Sequence, residues 1–480
     1  MIYKNNILKS VDWVIILLYV LMVVAGWFSI CGASYEFDMA KLFEPSGRPM
    51  TQLQWIGISS FVIFVILMLE SDLFDMFANI IYVATIALLI VTIFIAPDVK
   101  GSHSWLVLGP IRLQPAEFAK FSTALMVSHV MSQYGFKLTQ PTNFLKVLGL
   151  IFLPMICILL QKETGSALVY FAFFLMLYRE GMSGYFLLAG ICAVVFFVTG
   201  MKYSGVMLGM TPLGEFIVSL MILAISIGLI YVESKNKLAL RIVSYVSASS
   251  LFISYVVSFF IPVNFAHITI ALIILSIIYL VYLSIYHWVW NYVMIALFSI
   301  ISLGFLFSVD YVFNDILEPH QQIRIKVSLG LEDDPSGAGY NVNQSKIAIG
   351  SGGFLGKGFL NGTQTKLKYV PEQETDFIFC TVGEEQGFVG ATLVLIVFSI
   401  FIIRLILLAE RQDNSFSRIY GYCVASIFLF HLIINIGMVT GLTPVIGIPL
   451  PFFSYGGSSL LGFTILLFIF IRLDASRKER

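Results

Sequence analysis

The sequence predicts an all-α polytopic membrane protein, and three observations carry that prediction. Of 480 residues, 59% are hydrophobic and only 12% are charged, where a soluble globular chain carries about 25%. The apolar residues gather into about fourteen runs, each near the roughly 20 residues with which a helix crosses a bilayer. Basic residues concentrate in alternate connections, the asymmetry that fixes the orientation of a membrane protein.

In order, the runs lie near 12–31, 52–69, 74–96, 115–134, 145–160, 165–182, 184–200, 214–232, 241–262, 268–286, 289–309, 378–408, 417–440 and 453–472. Lys4 and Lys9 precede the first run, but no small-residue cleavage site follows it, so it reads as a span and not a signal peptide. Only QKETG divides 145–160 from 165–182, and only a His-Trp junction divides 268–286 from 289–309; each pair is expected as a tight hairpin or a re-entrant element. With a cytoplasmic N-terminus, about fifteen basic residues fall inside, among them Lys137, Arg179, Arg241, Arg404, Arg411 and Arg472, against roughly six outside. An even span count brings both termini to the cytoplasm. It also leaves one long polar segment, 310–377, as an extracytoplasmic loop before the last three spans.

The 28 basic and 28 acidic residues cancel, which argues against a nucleic-acid binder, whose domain would carry a basic excess. The five cysteines are single and dispersed in or beside apolar runs, as packing residues are. No Walker loop, zinc motif or nucleophile elbow is present, so ATP-driven transport, metalloprotease and serine-hydrolase chemistry have no residues to stand on.

The polar residues that remain ask for an explanation. Within 310–377, DDPSGAGYNVNQSKIAIGSGGFLGKGFLNGTQ is rich in Gly, Asn, Gln, Ser and Thr; such a backbone turns sharply and offers donors and acceptors to a polar ligand, with Gln344 and Ser345 as candidate contacts. Asp334, held between Asp333 and Pro335 and followed by glycines, is a candidate general base. A turn-capping role, or Asp333 as the active member, fits the residues as well. Glu117 and Lys120 in QPAEFAKF are three apart, hence on one helix face. An ionisable pair there should face a cavity or each other. Arg48, Arg112 and Arg324 have forks that suit phosphate oxygens, although a lone juxtamembrane arginine more often anchors at the interface. His103 in GSHSW reads as a loop histidine. The glycines and prolines of GLTPVIGIPLPFFSYGGSS predict an irregular outer segment over 441–459 that helps to line a cavity.

Taken together, WLVLGPIRLQPAEFAK (105–120), the 333–364 run, VPEQETDFIF (370–379), GEEQGFVG (383–390) and the 441–459 string resemble the shape, elongation, division and sporulation (SEDS) family, on its rod-shape branch. The resemblance implies a core of ten transmembrane helices, to which about four extra spans near 205–305 are added. It divides the chain into N-terminal core spans (1–204), additional spans (205–309), the catalytic loop (310–377) and C-terminal core spans (378–480).

It also implies a peptidoglycan glycosyltransferase that polymerises lipid II during cell-wall elongation. Asp334 would then be the catalytic base and undecaprenyl pyrophosphate the leaving group. Lys120, Glu117, Arg48, Arg324, Gln344 and Ser345 would contact substrate, with a divalent cation as a candidate helper. The partner would be a class B penicillin-binding protein, and the location the cytoplasmic membrane. The chain departs from the family pattern at Gly330, where a second Asp-Pro is usual, at Lys162 and Glu163, and at Glu374, where histidine is usual. A flippase for lipid-linked precursors is the rival reading, since broken helices and a midplane ion pair suit a transporter too.

Overall fold

In the computed structural model, which describes residues 10–35, 44–99, 101–109, 111–233, 237–317, 319–332 and 338–477, every predicted apolar run becomes a helix. Among the described residues, twelve are long and apolar enough to cross a membrane, and two shorter ones, 115–131 and 164–179, complete the expected set of fourteen. The chain folds into two compact units, one of 1–182 with 335–480 and the other of 183–334.

The first unit opens with α1 (Trp13–Ser34), which Asp12 caps by accepting from Ile15 N at 3.1 Å. It continues with α2 (Arg48–Met68), α3 (Ala78–Ile95), α4 (Pro115–Met131), α5 (Pro141–Leu160) and α6 (Thr164–Arg179). Pro115 stands in the first turn of α4, where its missing N–H costs no hydrogen bond. A hairpin of Leu106–Leu108 against Ile111–Leu113 precedes α4. The QKETG junction resolves as a turn between two separate helices. Gln161 Nε2 donates to Leu89 O at 2.8 Å, and the Glu163 carboxylate accepts from Ser102 and Ser104 at 2.7 and 2.8 Å.

The second unit holds α7 (Gly184–Lys202), α8 (Leu213–Glu233), α9 (Lys237–Val257), α10 (Phe265–His287), α11 (Trp290–Tyr311) and α12 (Pro319–Ser328). The His-Trp junction is a tight turn, with Trp288 in the left-handed region between two full-length helices. Apolar side chains such as Phe196, Ile222, Leu272 and Phe298 fill its interior. Hydroxyl pairs tie the helices where apolar packing alone would not select a register: Ser219 with Thr269 at 2.5 Å and Ser226 with Ser299 at 2.8 Å.

The remainder of the first unit is α13 (Ala338–Ser351), α14 (Ile378–Glu410), α15 (Ser415–Thr440) and α16 (Gly457–Ser476). Here the structure corrects the expectation of a sharply turning polar loop. The segment 310–377 contains α12, α13 and a short turn of helix at Thr363–Lys366. In α13, Val342, Ser345 and Ala348 repeat at helical spacing and are buried, a period that the surrounding glycines and amides mask in the sequence. The irregular stretch expected over 441–459 is three residues shorter and ends at 456, because α16 begins at Gly457; Ile448, Leu450, Phe452 and Phe453 within it are buried. Gly441, in the left-handed region, closes α15 and starts it. All five cysteines are buried and unbridged.

Candidate functional site

Where α4, α15 and α16 meet the irregular segment, an ion pair is sealed inside the first unit. Glu117 and Lys120 are 3% and 2% exposed, and Lys120 Nζ donates to Glu117 Oε2 at 2.7 Å. Of the two outcomes expected for this pair, each side chain faces the other. Close by, α16 approaches through Gly462, whose missing side chain leaves room for the Glu117 backbone.

The same ammonium reaches His431 of α15, with Nζ and Nε2 3.3 Å apart, and lies 4.4 Å from the centre of the Phe463 ring. An ammonium has no acceptor, so the imidazole Nε2 accepts and the proton resides on Nδ1. That proton points at Pro449 O, 3.1 Å away in the irregular segment. One turn on, Asn435 donates to Ile448 O at 2.7 Å and to Asp376 O at 2.9 Å, joining the same segment to the PEQETDF stretch. Sequence reasoning missed His431. The signal was there: an ionisable residue within a membrane run is functional by default, and Asn435 follows it on the same helix face.

Arg48 opens α2 and pairs with Glu374 of the PEQETDF stretch. The Arg48 side chain is more than half exposed while Glu374 is buried. The guanidinium also lies 6.0 Å from the centre of the Tyr455 ring, and Tyr455 N donates to Glu374 O at 2.8 Å. Arg48 and Lys120 therefore abut the same irregular segment, one through Tyr455 and the other through Pro449 by way of His431.

The other candidates are dispersed. Ser345 is buried and donates to Val439 O at 2.9 Å, a tie between α13 and α15, while Gln344 is half-buried on α13. Arg324 lies on α12, in the second unit. Asp333 and Asp334 fall outside the described residues. Among the described residues, no three His, Cys, Asp or Glu side chains converge where a metal ion would sit. His103 is a loop histidine, its Nδ1 3.2 Å from Ala96 O.

The GEEQGFVG string organises the neighbourhood of α13. Glu384 is fully buried and receives Thr363 N, Gln364 N and Thr365 N at 2.8–2.9 Å, together with Lys357 Nζ. Gly387, at φ 66° and ψ −163°, breaks α14. Across that break the backbones of 353–358 and 384–389 pair: Lys357 N to Glu384 O at 3.0 Å, Gly358 N to Glu385 O at 2.9 Å, and Phe388 N to Gly353 O at 2.9 Å.

The family model described as "Cell cycle protein" (FtsW/RodA/SpoVE) matches residues 12–211 and 207–479. The chain is 30% identical over 402 residues to the peptidoglycan glycosyltransferase RodA of Treponema pallidum (strain Nichols), covering 82% of this chain and 83% of that one. It is 44% identical over 158 residues to the peptidoglycan glycosyltransferase MrdB of Escherichia coli (strain K12), a stretch of 32% of this chain and 43% of the relative. Its fold is similar to a chain of a solved structure described as "Structural coordination of polymerization and crosslinking by a peptidoglycan synthase complex", with a TM-score of 0.61 at 20% identity over 97% of this chain and 98% of that one.

Proposed function

This chain belongs to the FtsW/RodA/SpoVE family of cell cycle proteins, and from that premise we infer that it is a multi-pass membrane enzyme, a peptidoglycan glycosyltransferase of cell-wall elongation. Its substrate in this reading is lipid II. Asp334 takes the proton of the acceptor sugar's 4-hydroxyl, and the oxygen bonds to the anomeric carbon of a second lipid-linked disaccharide. The bond from that carbon to the pyrophosphate oxygen breaks, and its electron pair leaves with undecaprenyl pyrophosphate.

Charge that develops on the leaving group calls for fixed cations. Arg48 is the accessible one, and Glu374 competes for it. Lys120 lies deeper and meets a phosphate oxygen only where the enclosure around it yields. Arg324 and Gln344 are assigned to substrate contact, and Ser345 to it only if its bond to Val439 is released.

The supporting observation is the sealed group of Lys120, Glu117 and His431. Ionisable side chains inside a membrane-embedded bundle are costly and are retained for function. We place the chain in the cytoplasmic membrane with both termini inside and Asp334 at the outer face, as the basic residues and an even number of spans favour. The partner is a class B penicillin-binding protein that cross-links the product. The test is purified full-length protein on labelled lipid II, where strands should lengthen and Asp334→Asn should make none. Should Asp333→Asn be the inactive variant, the base moves by one residue. Translocation of precursor across vesicles without strand growth would make the protein a flippase.

A further inference from the structure

We propose that His431 is a positioning residue for the glycosyl transfer: it holds the Lys120 ammonium in the orientation that presents its remaining N–H to the leaving pyrophosphate. This rests on the functional reading above and deepens it. Three observations carry it. Lys120 Nζ commits one N–H to Glu117 Oε2 at 2.7 Å and a second to His431 Nε2 at 3.3 Å. The ammonium also lies over the Phe463 ring, 4.4 Å from its centre, and its third N–H has no hydrogen-bond partner among the described residues.

The imidazole can accept from Lys120 only in the tautomer that carries its proton on Nδ1. Pro449 O, 3.1 Å from Nδ1, selects that tautomer. The peptide that carries this carbonyl is itself anchored, because Leu450 N donates to Ser454 Oγ at 2.8 Å. The chain Glu117–Lys120–His431–Pro449 thus connects the charge on α4 to the backbone of the irregular segment. The ring is 1% exposed and packs edge-on against Phe463 at 4.8 Å, so it has no room to flip.

A purely structural histidine would use the same bond to Pro449, so the test must separate its two nitrogens. The side-chain oxygen of glutamine reaches about as far as Nε2, and the amide nitrogen of asparagine about as far as Nδ1. His431→Gln keeps an acceptor for Lys120 and gives up the Pro449 bond. His431→Asn does the reverse. In full-length protein assayed on lipid II, with thermal midpoints measured alongside, His431→Gln should keep kcat within about threefold of wild type, whereas His431→Asn should lose tenfold or more, the scale of a bond to a charged group. The loss should fall on kcat rather than KM, because the charge that Lys120 meets develops in the transition state.

The opposite order, with Asn active and Gln impaired, would assign His431 to holding the segment and overturn the proposal. Equal losses that track a fall in thermal midpoint, or no loss in either variant, would overturn it as well. A wild-type protein that polymerises no lipid II would instead overturn the functional reading, and that result is in hand before any variant is made.

Discussion

Lys357 sets its ammonium 2.7 Å from Glu384, a carboxylate with no exposed surface that also accepts from the Ser351 and Thr363 hydroxyls and from the first backbone N–H groups of the Thr363–Lys366 turn. The carboxylate is thus a fixed post beneath the loop that leaves α13. Glu384→Ala should destabilise the protein by about 3–5 kcal/mol, because it leaves Thr363 N, Gln364 N and Thr365 N without their acceptor. Lys357→Met should cost less, because three backbone donors still serve the carboxylate. Thermal melts in detergent read both, and a larger loss for Lys357→Met would refute this account.

Lys120→Met should likewise cost about 3–5 kcal/mol, since it strands the Glu117 carboxylate among buried groups. Adding Glu117→Gln should recover most of that stability without recovering strand synthesis. Stability and turnover measured on the same three proteins distinguish a catalytic charge from helix glue, for which the double variant would be active.

Glu374→Gln should release Arg48 and lower the KM for lipid II by about two- to fivefold, the effect of a half-exposed ion pair. Arg48→Gln should raise it. If both variants shift KM in the same direction, Arg48 does not serve the substrate's phosphates.

Gly387→Ala should cost about 1–3 kcal/mol, because its backbone occupies the left-handed region and an added Cβ would strike Gly356 N. Gly57→Ala, in α2 with open space around it, is the control and should leave the melt unchanged or raise it.

At the start of α1, burial alone would raise the Asp12 pKa, but hydrogen bonds from Arg404 and Ile15 N and the charge of Arg411 hold it below its ordinary value of 3.8. A depressed carboxylate pKa stabilises the folded state above the ordinary value and loses that contribution as pH falls from there through the depressed one. The stability gap between wild type and Asp12→Asn should therefore be full at neutral pH and close on acidification below the ordinary carboxylate range. A gap that widens in acid would contradict the pairing.

The helices were legible because an apolar run of membrane length admits few alternatives, and Glu117 with Lys120 was legible because a pair spaced by three must share a face. α13 was not, since its buried stripe consists of Val342, Ser345 and Ala348, two of them too small to register as hydrophobic. The break at Gly387 was hidden too: GFVGATL reads as uninterrupted helix, and only the approach of Gly356 from elsewhere in the chain requires the turn. Arg48 with Glu374, and Lys120 with His431, are partners across 326 and 311 positions, beyond the reach of local pattern.

Between Leu460 and Ser476 only Leu461 and Ile465 of α16 escape burial, while Tyr19 reaches across to Thr464 and Tyr420 to Leu466 O. The helix that threads the middle of the first unit is thus synthesised after every helix it touches, and after the whole of 183–334 has passed through the insertion machinery. Until it arrives, α1 and α2 have each other, through Trp27 Nε1 donating to Pro49 O at 3.0 Å, but neither has the helix to which Tyr19 bonds. The first unit is therefore complete only when its last helix is made, and a chain that stops before residue 457 lacks its axis.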